Sequence, residues 1–203
     1  MVTEKVKIDR QGMGVEKALS ITEKAGTYGD LDKRETIRLR LLAEELIGLM
    51  RGIAGDIDAD FWIEKEGNQY VLKLQSDVDL SKEMRQQFLD VSSSGTNSAV
   101  KGFMGKIRES IAVALLPTED INVAMQGVTL GLMTMGCPEA YENNVNAYMW
   151  SLQRYKTALD GVEDAEKEEA WDELEKSIVA SIADDVQVSV KGSSVEISII
   201  KQF

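Results

Sequence analysis

Two stretches of alternating apolar residues, far apart in the chain, constrain its fold more than any other feature. Phe61-Trp62-Ile63 and Tyr70-Val71-Leu72-Lys73-Leu74 flank Glu66-Gly67-Asn68-Gln69. Period-2 runs separated by a Gly-Asn turn predict a hairpin over Asp60 to Gln75. Its second strand runs on into Ser76-Asp77-Val78-Asp79. At the other end Val186, Val188 and Val190 alternate, Gly192-Ser193-Ser194 turns, and Val195, Ile197 and Ile199 alternate back. A second hairpin is therefore expected to close the sequence.

Helices are expected between and before these hairpins. Glu4 to Ile8 reads as a short edge strand, with Val6 and Ile8 on one face and Lys5 and Lys7 on the other. Val15 to Ala25 follows with helical spacing until Gly26 and Gly29 break it, and Asp30 or Asp32 caps the next element. That element, Lys33 to Ile53, is the strongest helix: Ile37, Leu41, Leu42, Leu46, Leu49, Met50 and Ile53 make one broad apolar face. Glu45 falls toward one edge of that arc. A carboxylate there is either a buried group needing a partner or proton, or a rim group reaching for water.

Ser81 to Lys167 has little strand character. Helices are expected at Ser81–Leu89, Ala99–Leu116, Ile121–Met135 and Glu139–Leu159, with Pro117 and Pro138 at helix boundaries. Six of the nine methionines lie here, either as core filling or as an adaptable partner groove. Tyr141, Tyr148 and Tyr155, seven apart, would share a helix face. Glu163 to Glu169 reads as the acidic first turn of a helix carrying Trp171, Leu174, Ile178, Val179 and Ile182, which Asp184-Asp185 ends.

Composition narrows the chemistry. With 35 acidic and 23 basic residues the net charge is -12, which would repel nucleic-acid phosphates and anionic membrane surfaces. No apolar run is long enough for a membrane span. The charged start MVTEKVKIDR carries no secretory signal, so a cytoplasmic location is expected. No histidine and a single cysteine, Cys137, remove the serine triad, the Cys–His dyad, a disulfide framework and multi-cysteine metal sites. No metal site is expected.

The order is strand, helix, long helix, hairpin, helical segment, helix, hairpin. It resembles the GHKL (histidine-kinase-like, Bergerat) ATPase fold, in the variety of the small anti-sigma-factor serine kinases of Gram-positive bacteria. Two stretches carry the resemblance. Leu41-Leu42-Ala43-Glu44-Glu45-Leu46-Ile47 looks like the start of the family's N-box helix. Lys176 to Val186, with the hairpin ending Ile200-Lys201-Gln202-Phe203, looks like its last helix and final strands. The resemblance implies an α+β, two-layer α/β sandwich with a mixed sheet: a single domain over 1–203, with a large helical insertion over 81–167 in place of the ATP lid.

The same resemblance implies a nucleotide site that this chain departs from. In the family the N-box glutamate orients the attacking water and an asparagine four residues on holds magnesium. Glu45 matches the glutamate, but the asparagine position is Leu49, which offers no oxygen to a hard cation. Asp77 matches the aspartate that reads adenine, yet the following glycine positions read Asp79 and Ser81. The glycine pair expected at the start of the last helix reads Asp172-Glu173-Leu174-Glu175. One substitute exists. Lys101-Gly102-Phe103-Met104-Gly105-Lys106 opens the Ala99 helix, and Lys101, Gly102 and Gly105 either seat a phosphate or merely permit a helix crossing.

The expected function is thus a non-catalytic regulatory or protein-interaction protein on a degenerate ATPase fold. No cofactor is expected, and the implied partner is another protein, of the sigma-factor or anti-anti-sigma type. A homodimer is compatible with this. The first alternative is an active serine kinase using Mg-ATP, with Glu45 as base, Asp77 reading adenine and the Gly102–Gly105 helix cradling phosphate. The second is an unrelated α+β ligand-binding or dimerisation module.

Overall fold

A computed structural model describes residues 1–54, 58–77, 107, 111, 147–160 and 165–203. The described elements are β1 (Val6–Ile8), α1 (Val15–Tyr28), α2 (Lys33–Ala54), β2 (Ala59–Glu66), β3 (Gln69–Asp77), β4 (Ala147–Ser151), α3 (Leu152–Asp160), α4 (Ala165–Lys176), α5 (Ile178–Ile182), β5 (Asp185–Lys191) and β6 (Ser194–Gln202). The chain is α+β, and its strands hydrogen-bond in the order β1-β2-β3-β6-β5-β4. The sheet is antiparallel, where the sequence reading expects a mixed one. β1 runs against β2, with Val6 opposite Phe61, and β2 against β3, with Ile63 opposite Leu72.

Both hairpins form where the turn chemistry places them. Gly67 and Gly192 occupy the left-handed region at φ 54° and 61°, which a side chain would disfavour. Ser194 already belongs to β6, so the second turn is the two residues Gly192-Ser193. β1 takes the edge, with Val6 and Ile8 buried and Lys5 and Lys7 exposed.

The chain divides into two compact units. The first comprises Met1–Asp77, Ser177–Gln187 and Glu196–Phe203; the second comprises Val78–Lys176 and Val188–Val195. In the first unit α1 packs on β1 and β2, α2 on α1 and β3, and α5 on α2. Phe61, Ile63, Tyr70, Leu72 and Leu74 of the hairpin are fully buried, as are Leu39, Leu42, Leu46 and Met50 of α2. Leu42, Leu46, Leu49 and Met50 of the predicted face are buried, but the buried arc is rotated from it. Leu39, left out of the pattern, is buried, whereas Ile37 is 55% exposed and Leu41 only half-buried. The helix has leucines on several sides, and contact with both α1 and β3 rotates the buried side away from Ile37.

The α1–α2 connection is built from two capping motifs. α1 continues through Gly26, whose missing side chain lets Thr36 of α2 approach: an added Cβ would lie 3.1 Å from the Thr36 hydroxyl. The helix ends in a Schellman arrangement: Leu31 N–H donates to Gly26 C=O at 3.1 Å and Asp30 N–H to Thr27 C=O at 3.3 Å, with Asp30 at φ 61°. Asp32, not Asp30, then caps α2. Its carboxylate accepts from Glu35 N–H at 2.8 Å, and the Glu35 carboxylate accepts from Asp32 N–H at 2.8 Å. This reciprocal pair is a capping box with aspartate in the leading place. Asp32→Ala is expected to cost about 1 kcal/mol, read as a lower urea midpoint, while Asp32→Asn retains most of the stability.

Two helical expectations fail. Ala147–Ser151 is a strand, not part of a helix over Glu139–Leu159, because Tyr148 and Trp150 in alternation favour a pleated surface. Tyr148 and Tyr155 therefore do not share one helix face; Trp150 instead meets Tyr155 of α3, their rings 5.9 Å apart. The helix expected from Glu163 to Ile182 is broken at Ser177, whose hydroxyl accepts from Ala180 N–H at 3.2 Å and starts α5. Of the expected 99–116 helix, Ile107 and Ile111 are helical and buried. The helices expected over 81–89 and 121–135, Tyr141 and Cys137 lie outside the described residues.

Candidate functional site

Glu45 and Asp77 are the two sequence-predicted site residues that the structure describes. Glu45 is half-buried in the middle of α2, one turn beyond half-buried Leu41. It lies at the edge of the buried arc that Leu42, Leu46, Leu49 and Met50 form, between buried Leu49 and the helix's outer side, as a rim carboxylate would. Asp77 is the exposed last residue of β3. Among the described residues neither carboxylate makes a hydrogen bond or ion pair, and none joins the two. Leu49, at the position matched to a magnesium ligand, is buried to 7% exposure. Its environment is that of a core residue.

The matched phosphate-binding positions are also displaced. Asp172 to Glu175 sit in the last turns of α4, not at a helix start, since the Ser177 cap begins a separate helix after them. Asp172 pairs instead with Lys176 one turn on, at 3.4 Å. Lys101, Gly102, Gly105, Asp79 and Ser81 lie outside the described residues. No group of three or more acidic or cysteine side chains able to hold a metal occurs among the described residues.

The sheet carries a polar cluster on its other face that the sequence reading did not single out. Trp62 Nε1 donates to Glu64 Oε1 at 2.9 Å, and Lys73 Nζ lies 3.2 Å from Glu64 Oε2 and 3.8 Å from Glu196 Oε1. Lys5 Nζ stands 4.1 Å from the Trp62 ring centre, so two lysine stems cover the indole. The Trp62 hydrogen bond, more than the Lys73 charge, holds the Glu64 carboxyl below its ordinary range. Strand alternation alone could have found this cluster, since Trp62, Glu64, Val71 and Lys73 share one face. A shallow groove of about 320 Å³ lies nearby, lined by Met1, Val2, Glu64, Lys65, Glu66, Gln69 and Val71. Neither Glu45 nor Asp77 reaches it.

Tyr70 is the one described residue with a buried side-chain oxygen or nitrogen left without a hydrogen-bond partner. Its ring packs edge-on to Phe203, centroids 5.6 Å apart, and its hydroxyl lies against the Gly29 backbone. Burial, and then the nearby charges of Asp30 and Glu35, push its phenol above the ordinary value of 10.0. Below about pH 10 the phenol is protonated in both folded and unfolded chains, so this contribution to stability is complete there. As pH rises further the unfolded chain ionises first, and stability falls. Between pH 9 and pH 11 the wild type is expected to lose more urea resistance than Tyr70→Phe; equal losses would show that the phenol does not titrate with unfolding.

No helix among the described residues is long and apolar enough to cross a membrane. Comparison with known proteins adds no relative: the chain matches no protein-family model, no curated protein and no solved structure.

Proposed function

We propose that this chain is a non-catalytic regulatory protein that acts by binding another protein, on a histidine-kinase-like ATPase fold whose nucleotide site has decayed. The observation that carries this reading is Leu49. A buried leucine one turn beyond Glu45 supplies no oxygen, and magnesium demands an oxygen shell. Phosphoryl transfer is almost entirely positioning and charge neutralisation, so a site without its metal ligand loses the main source of rate. The displacement of Asp172 to Glu175 from a helix start supports the same reading, because phosphate is held by free N–H groups at a helix N-terminus. The proposed partner is a bacterial regulator of the sigma-factor or anti-anti-sigma type, met in the cytoplasm.

Isothermal titration of the full chain with Mg-ATP, and then with ADP, tests this. No heat at about 100 µM protein is the expected result. Saturable binding with micromolar affinity would falsify the proposal and favour the active serine kinase, with Glu45 and Asp77 as the residues to mutate.

A further inference from the structure

The outer side of α2 carries apolar and charged groups that the fold leaves unused. Arg34, Ile37, Arg38, Leu41, Glu45 and Gly48 recur at three- and four-residue steps and so form one stripe along the helix. Arg34, Ile37, Arg38 and Gly48 are exposed, and Leu41 and Glu45 are half-buried. Among the described residues Arg34, Arg38 and Glu45 have no ion-pair partner. Arg40, by contrast, is taken up by Glu23 at 2.7 Å and Glu44 at 3.0 Å. The stripe is therefore basic in its first half, apolar at Ile37 and Leu41, and acidic in its second half.

We propose that this stripe pairs with the same stripe of a second copy of this chain, the two α2 helices running antiparallel about a two-fold axis at Leu41. A two-fold interface must be complementary to itself, each residue type meeting its opposite across the axis. At 1.5 Å per residue Arg38 lies about 4.5 Å before Leu41 and Glu45 about 6 Å after it, so reversing the second helix brings each Arg38 level with the other copy's Glu45. Helix side chains lean toward the N-terminus, which carries both groups toward each other. Arg34 comes level with Gly48, around whose absent side chain there is open space for a guanidinium stem. Ile37 and Leu41 fill the centre. Two Arg38–Glu45 pairs form per dimer, and each copy supplies the other's missing partner. The stripe carries two arginines against one glutamate in a chain of net charge -12, so this face escapes the repulsion that the overall charge imposes between copies.

One helix face is a small interface, so association at roughly 10–100 µM is expected, not nanomolar. The test is sedimentation velocity of the full chain from 5 to 300 µM in 150 mM salt. Wild type is expected to shift from monomer to dimer across this range. Arg38→Glu and Glu45→Arg are each expected to weaken association at least tenfold, and the double swap Arg38→Glu/Glu45→Arg to restore it to within threefold. A wild type that stays monomeric at 300 µM overturns the proposal. So do single variants that associate normally, or a swap that fails to restore pairing. In a Cys137→Ser background Leu41→Cys is expected to give a disulfide-linked dimer on mild oxidation. Its failure to cross-link while its far-ultraviolet spectrum matches wild type would place the axis elsewhere and overturn this geometry too.

Discussion

Gly14→Ala is expected to lose about 3–5 kcal/mol of stability, the largest effect of any single methyl addition in the described residues. Gly14 stands immediately before α1 at φ 95°, a conformation that costs an L side chain on its own. The added Cβ would also overlap the Lys7 carbonyl oxygen of β1 and crowd Ile8 Cα at 3.3 Å. Both obstacles are backbone, and β1 is held in place by its pairing with β2. The Asp9 carboxylate further ties the loop by accepting from Gln11 N–H at 3.0 Å and Met13 N–H at 2.8 Å. No neighbouring side chain can be trimmed to make room. Equilibrium urea unfolding checks the prediction, and a loss below about 1 kcal/mol would mean that α1 shifts freely on the strand. Gly48→Ala is the contrasting control, since nothing lies within 4 Å of its added Cβ and alanine favours a helix interior. A gain of about 0.5–1 kcal/mol is expected at protein concentrations too low for pairing.

Gly29→Ala is expected to cost about 3 kcal/mol for a different reason, and the difference is testable. The Gly29 φ of −93° is open to any residue, so its backbone resists nothing. The obstacle is the Tyr70 hydroxyl, which an added Cβ would overlap, with Lys65 Cε at 2.7 Å behind it. The Lys65 stem is flexible and can move. The hydroxyl sits on a ring locked between Phe203 and the core, at 0% exposure. Tyr70→Phe removes the obstructing atom and also an unpaired buried oxygen, so alone it is expected to be neutral or to stabilise by about 1 kcal/mol. In the double variant Gly29→Ala/Tyr70→Phe about half the loss is expected to return, since Tyr70 Cζ would still stand at 3.0 Å. A double-mutant cycle by urea unfolding reads this coupling; additive effects would show that the loop, and not the hydroxyl, carries the cost.

The features legible in the sequence are those set by local chemistry. Gly67-Asn68 and Gly192-Ser193 mark their turns because only certain residues accept the required φ, and β1 is marked as an edge by its lysines. The buried side of α2 was less legible. Leucines at several azimuths allow two arcs, and tertiary contact with α1 and β3 chooses between them. That choice puts Leu39 inside and Ile37 outside, and leaves Glu45 half-buried at the rim. The Ser177 break is hidden in the sequence by the apolar period that runs through it. For the candidate site, spacing alone singles out Glu45, whereas Leu49 and Asp77 are named only through the family resemblance. Their disposition is not legible, because it depends on which side of α2 meets the sheet.

The first unit is assembled from both ends of the sequence, with β6 lying beside β3 although more than a hundred residues separate them. On the ribosome β3 is made long before its neighbour. At about 5–20 residues per second, residues 196–203 follow the end of β3 by roughly 6–24 s. Throughout that interval one side of β3 presents unsatisfied backbone N–H and C=O groups, and Tyr70 lacks the ring contact that Phe203 brings. That is time enough for the same strand of a neighbouring nascent chain to pair there. The chain's yield in rapid expression should therefore be governed by translation speed and by chaperones that shield this edge.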